Sequence, residues 1–162
     1  MAMLRMAQTQ FDAIRRHGEQ TYPNESCGVL LGHMEEDSNA VIDVVPAQNT
    51  RSDSAHNRYQ IAPQELIRIQ QQARRGGLDI VGFYHSHPDH PAEWSKTDLE
   101  EAHWIGCFYV ITRVAGSLTG GAGDAVRCRA METNCFLLAG TGEENKRLER
   151  QAIDVVTEVG AR

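Results

Sequence analysis

The sequence predicts an α/β fold in which a mixed β-sheet is flanked by helices. Three observations point to it: two stretches with apolar residues at helical spacing, short apolar runs of strand length between and after them, and a further helical stripe near the C-terminal end. The 162 residues are enough for one core, because a chain of this size buries roughly 70% of the surface it would expose unfolded. No Pro/Gly/Ser-rich linker divides it, so a single domain over residues 1–162 is expected. A (β/α)8 barrel, which usually needs roughly 250 residues, is excluded.

Leu4, Ala7, Phe11 and Ile14 recur at helical spacing up to Gly18, which predicts an amphipathic helix over residues 3–17 lying on a sheet. The apolar run Cys27 to His33 and the run Ala40 to Val45, joined by the polar turn Glu35 to Asn39, read as a β-hairpin. A polar loop follows over Asn49 to Asn57. Pro63 suits a first helical position, Leu66, Ile69 and Ala73 share a face, and Gly76-Gly77 is a stop, which gives a second helix over residues 63–75. Leu78 to Tyr84 and Cys107 to Val114 read as buried strands, and Ala125 to Met131 and Cys135 to Leu138 as weaker ones. Leu148, Ala152, Val155 and Val159 predict a last helix within Glu143 to Val159, with its charged residues on a solvated face.

A formal charge of -6 offers no basic stripe for phosphate, which argues against nucleic acid as a partner. No apolar run approaches the roughly 18 residues of a membrane span, and Met1 to Gln10 lacks the features of a signal peptide, so a cytoplasmic protein without a membrane partner is expected. Cys27, Cys107, Cys128 and Cys135 form no C-x-x-C pair and read as reduced thiols, mostly in the core.

Chemistry concentrates between His85 and Asp98. Residues i and i+2 of a strand point to one side, so His85 and His87 can present two imidazoles to one point. Pro88 and Pro91 stop regular continuation, and Ser95 can then begin a helix with Asp98 in its first turn, able to swing back toward the histidines. Two imidazoles and a carboxylate leave a tetrahedral Zn²⁺ one open position for water, the arrangement of a hydrolytic site. With seven histidines in the chain, chance supplies about 0.3 H-x-H pairs, but requiring the serine and aspartate at their spacings lowers this to about 0.0007. Ordinary readings exist for the parts: hydrogen-bonded histidines at a strand end, and a helix N-cap at Ser95-x-x-Asp98, which is compatible with ligation. His90 sits in a turn and reads as solvent-exposed or substrate-facing. The H-x-E and P-C-x-x-C pattern of zinc deaminases is absent, and a jelly-roll cupin would lack the helices.

His85, His87, Ser95 and Asp98 match without a gap the H-x-H-x7-S-x-x-D signature of the JAMM (MPN+) metalloprotease family, which the chain resembles. Asn24 to Gly32 is similar to that family's glutamate segment, and a looser likeness covers residues 1–114. The resemblance implies a curved mixed sheet with a cytidine-deaminase-like core, one Zn²⁺ per chain on His85, His87 and Asp98, Glu25 as general base and Ser95 as a donor to the oxyanion. From its own residues Glu25 would be no more than an exposed acid before a strand. Cys27 is read as a buried small residue and not as a nucleophile. The wording Tyr84 to Ala92 is most similar to compact prokaryotic members that hydrolyse adducts of sulfur-carrier proteins. The implied function is a zinc metalloprotease or isopeptidase that cuts the amide bond after the C-terminal Gly-Gly of a ubiquitin-like or sulfur-carrier protein, with release of cysteine as one outcome. A non-cleaving module for such tails, and a RadC-like protein, are the alternatives. Trp94 stands where this group often has proline, and residues 115–162 carry no recognisable motif.

Overall fold

The computed structural model describes residues 3–36, 38–117 and 127–157. In chain order these form β1 (Met3–Ala7), α1 (Gln8–Thr21), β2 (Cys27–Met34), β3 (Asn39–Ala47), α2 (Pro63–Arg75), β4 (Asp79–Pro88), α3 (Lys96–Glu101), β5 (Phe108–Ser117), β6 (Arg127–Ala139) and β7 (Arg147–Val156). The strands run in the order β1-β3-β2-β4-β5-β6-β7 and close into a barrel, because β1 pairs in parallel with both β3 and β7. β4 and β5 are parallel, and the remaining neighbours are antiparallel. The mixed sheet with helices packed on it follows the sequence expectation, and its closure is an added feature.

Local chemistry explains the helices. α2 starts at Pro63, carries Glu65 in its first turn and Arg74 and Arg75 in its last, and so complements the helix dipole at both ends. Gly76 N–H bonds back to Gln72 and Ala73, and Gly77 takes φ +70°, which ends the helix. Ile69 and Ala73 bury against Val29, Leu31 and Phe83 on one face of the sheet. Ile14 of α1 packs with Leu30, Val81, Tyr84 and Val110 on the other. Strands β2, β4 and β5 thereby serve two cores through their alternating side chains. Gly18 lets α1 come close to β4, since a Cβ there would lie 3.1 Å from the Cβ of Ser86.

Two expectations are corrected. Residues 3–7 form β1 and the helix begins only at Gln8. Leu4 and Met6 are buried while Arg5 is exposed, a two-residue alternation that a helical reading of Leu4, Ala7, Phe11 and Ile14 conceals. The larger correction concerns Glu143 to Val159, where β7 replaces the predicted helix. Leu148 pairs with Leu138 and Ala152 with Met3, so the backbone of Arg147–Val156 is satisfied by β6 on one side and β1 on the other. These are distant partners that override the local apolar spacing. Val159 lies outside the described residues. The two weaker strands expected near Met131 and Leu138 are one strand, β6, with Ala125 outside the described residues.

Cys27, Cys107 and Cys135 are buried and Cys128 half-buried, all four as free thiols. Among the described residues, no helix is long and apolar enough to cross a membrane.

Candidate functional site

β4 carries His85 and His87 at its end with both rings turned to one side. β2 lies antiparallel beside it with Cys27 opposite His85, and Ser26 N–H donates to Ser86 Oγ at 2.8 Å. Glu25, directly before β2, is therefore held next to the histidine end of β4. α3 supplies the third side: Ser95 Oγ accepts Asp98 N–H at 3.0 Å, and Asp98 Oδ2 accepts Ser95 N–H at 2.9 Å. This reciprocal cap aims the Asp98 carboxylate back at β4.

The donor atoms converge. His85 Nε2 and His87 Nε2 lie 3.1 Å apart, Asp98 Oδ2 is 3.1 Å from His87 Nε2, and Asp98 Oδ1 is 3.3 Å from His85 Nε2. Donors about 2.0–2.1 Å from a tetrahedral Zn²⁺ would stand about 3.3 Å from each other, so these three residues fit that ion. His87 Nδ1 sits 2.8 Å from the Pro91 carbonyl oxygen, which assigns its N–H to that side and leaves the Nε2 lone pair facing the cluster. The turn that presents Pro91 is itself anchored. Asp89, at φ +59°, donates its N–H to Val114 and accepts from Gly116 N–H at 2.9 Å and from the Tyr22 hydroxyl at 2.5 Å. A Cβ on Gly116 would fall 2.1 Å from the Tyr22 ring.

Burial and charge set the protonation states. Burial raises the Glu25 carboxyl to about 7 against the lowering pull of His85 and His87, and only 3% of the residue is exposed. Burial would also raise Asp98, but the two imidazoles and Ser95 N–H outweigh it and hold this carboxyl well below the usual range. Burial alone would lower His87, and the Asp98 hydrogen bond reverses the direction and raises it. Cys27 is fully buried with its thiol pushed up to about 12, mainly by desolvation, which leaves no nucleophilic thiolate at neutral pH.

Glu25, His87 and Ser95 open onto one cleft of about 440 Å³, with His90 and Trp94 on its walls. The structure thus brings together all five residues singled out in the sequence, Glu25, His85, His87, Ser95 and Asp98, and leaves His90 exposed beside them. Several supporting residues have no local sequence signal. Tyr59 stacks on His85, with ring centroids 4.6 Å apart. Asn49 donates to the carbonyl oxygens of Glu25 and Arg58 and accepts from the N–H groups of Arg51 and Gln60. Polar composition marks their segment as a loop, but only the fold shows what the loop holds.

The chain is similar in sequence and fold to known proteins. A family model described as prokaryotic homologs of the JAB domain matches residues 7–133. A desampylase from Haloferax volcanii is 37% identical over 97 residues, covering 60% of this chain and 68% of that protein. A protein from Thermus thermophilus named "Probable TtuB-protein conjugate cleaving protease" is 33% identical over 90 residues, 56% of this chain and 57% of its own length. Among solved structures, one from Desulfitobacterium hafniense superposes with a TM-score of 0.69 at 25% identity, covering 97% of this chain and 95% of that one. Another, from Salinibacter ruber, gives 0.64 at 35% identity over 94% of this chain and 91% of its own.

Proposed function

This chain belongs to the family of prokaryotic JAB-domain proteins, and from that premise we propose that it is a zinc-dependent isopeptidase of the JAMM type, cutting the amide bond after the C-terminal Gly-Gly of a ubiquitin-like or sulfur-carrier protein. The observation that carries the reading is the convergence of His85, His87 and Asp98 beside the buried carboxyl of Glu25 on one open cleft. We read the closed mixed sheet as a cytidine-deaminase-like core, and the four free thiols favour action in the cytoplasm.

His85, His87 and Asp98 would hold the ion, which supplies a Lewis acid for the amide carbonyl and lowers the pKa of water toward 7. Glu25, buried beside the donor cluster, takes a proton from the attacking water and returns it to the departing amine. The Ser95 oxygen is already occupied by Asp98 N–H, so its own hydrogen is free to donate to the carbonyl oxygen as that atom becomes negative. Pro91 and Tyr59 keep the two imidazoles oriented.

A Gly-Gly tail suits the approach to this centre. Arg58, Tyr59, Thr97 and Asp98 line a small cavity of about 10 Å³ that shares Arg58 and Thr97 with the cleft of Glu25 and His87, and shares Tyr59 with a cleft of about 350 Å³ walled by Leu66, Phe83, Trp104 and Tyr109; we take this constriction as the path of the tail. Glycines cross a constriction that side chains would block, and a larger residue preceding them finds an aromatic wall beyond it.

The test is turnover. Zinc-loaded protein is given a Gly-Gly-tailed carrier in amide linkage, and release of the free tail is followed by mass. Glu25→Gln should keep the metal and lose roughly 10²- to 10⁴-fold in kcat, while Cys27→Ala should turn over normally. Binding of the tail without cleavage by zinc-loaded wild type would instead identify a non-cleaving module.

A further inference from the structure

Trp94 keeps 39% of its surface exposed on the wall of the cleft that also contains Glu25, His87 and Ser95. Its backbone is clamped on both sides. Before it, Ala92 is buried and its carbonyl accepts from Asn134 Nδ2 at 2.9 Å, while Glu93 pairs with Arg150 and with the same asparagine. After it comes the Ser95 cap. An indole with a free face on a fixed frame is pre-organised for contact, since little freedom is lost when a partner lies against it.

The position defines the partner. With the tail assigned to the side of Asp98 and Tyr59, the Trp94 side of the cleft, which Glu25 also lines, is left for the amine. We propose that the Trp94 indole is the platform for the four-carbon stem of an isopeptide-linked lysine, which makes this residue a determinant of preference for lysine-linked conjugates. The inference rests on the reading of the site given above. Methylene groups gain by leaving water for an aromatic face, and an amide-linked lysine carries no charge to desolvate there. The rival is a single amino acid joined through its α-amine, whose carboxylate would be drawn to Arg58 on the same cleft; among the described residues that guanidinium has no carboxylate within 4.0 Å.

The experiment uses the zinc-loaded chain and three probes that share one synthetic peptide ending in Gly-Gly, linked to the ε-amine of Nα-acetyl-lysinamide, to methylamine, or to the α-amine of alanine. Trp94→Ala should raise KM for the lysine probe about tenfold, roughly 1.4 kcal/mol, with kcat little changed and with the methylamine probe within twofold of wild type. Trp94→Phe should restore most of the loss. Equal effects of Trp94→Ala on the lysine and methylamine probes, or none on either, overturn the proposal. So does a selective loss of the alanine probe in Arg58→Gln together with a wild-type preference for that probe. Wild type that cuts none of the three overturns the parent reading and this inference with it, whereas wild type that cuts all three equally overturns the inference alone.

Discussion

Tyr59 and His85 stack at 4.6 Å between ring centroids, with an interplanar angle of 26°. The contact matters because, among the described residues, buried His85 Nδ1 has no hydrogen-bond partner, unlike His87 Nδ1, which meets the Pro91 carbonyl. One imidazole is therefore oriented by a hydrogen bond and the other by an aromatic face. Tyr59→Ala should weaken zinc binding by about 10- to 100-fold, the usual effect of losing a group that orients a ligand, and Tyr59→Phe should leave it near wild type. Competition against a chromophoric chelator measures both. Equal affinity in wild type and Tyr59→Ala would mean that strand geometry alone fixes His85.

Glu25 imposes a pH dependence on the metal-free fold. Its carboxyl is raised from 4.5 to about 7, chiefly by burial, so the folded state holds a proton that the unfolded state releases. Stability from this group is present below about pH 4.5 and is lost as pH rises through about 7. The full difference is roughly 3 kcal/mol. Glu25→Gln, neutral and nearly isosteric, should stabilise metal-free protein at pH 8 by up to that amount and have little effect at pH 4.5. Urea unfolding of both proteins across this range is the check, and a pH-independent difference would contradict the assignment.

Asp98 has two separable jobs, completing the donor set and closing the α3 cap through Ser95 N–H. Asp98→Asn retains an oxygen for the cap but removes the charge, whereas Asp98→Ala removes both. Both variants should lose most of the zinc found in wild type, and only Asp98→Ala should also lose about 1 kcal/mol at the helix start. Metal analysis and melting of the metal-free proteins separate the two effects.

The legible part of this protein was the part whose chemistry is local. His85, His87, Ser95 and Asp98 lie within one short segment, where strand period and capping preference already bring them toward each other. α2 was readable because Pro63 and Gly76-Gly77 mark both ends. Glu25 needed the family likeness, since its burial arises from pairing with β4 sixty residues away. β7 was misread for the same reason: Leu148 and Ala152 fit a helical stripe until β6 and β1 supply their partners. The roles of Tyr59 and Asn49 are not legible, because a loop has no periodicity from which to infer its contacts.

Asn49 ties that loop to the base. Its side chain donates to Glu25 O at 3.2 Å and Arg58 O at 3.0 Å, and accepts from Arg51 N–H and Gln60 N–H, both at 3.1 Å. One residue therefore fixes the backbone of Glu25 and both ends of the segment that carries Tyr59. Asn49→Ala leaves two amide donors and two carbonyl acceptors to find water, at about 1 kcal/mol per bond where the groups are half-buried. The expected result is a stability loss of about 1–3 kcal/mol and a drop in kcat of about tenfold, because Glu25 and Tyr59 lose their registration with the histidines. Asn49→Asp keeps the two accepting bonds and should fall between alanine and wild type. Hydrogen exchange locates the effect: amides of Arg51 and Gln60 should exchange faster in Asn49→Ala, while those of Tyr84 and His85 within β4 keep their protection. Unchanged exchange at Gln60, or loss of protection throughout β4, would show that Asn49 does not act as the local tie between loop and base.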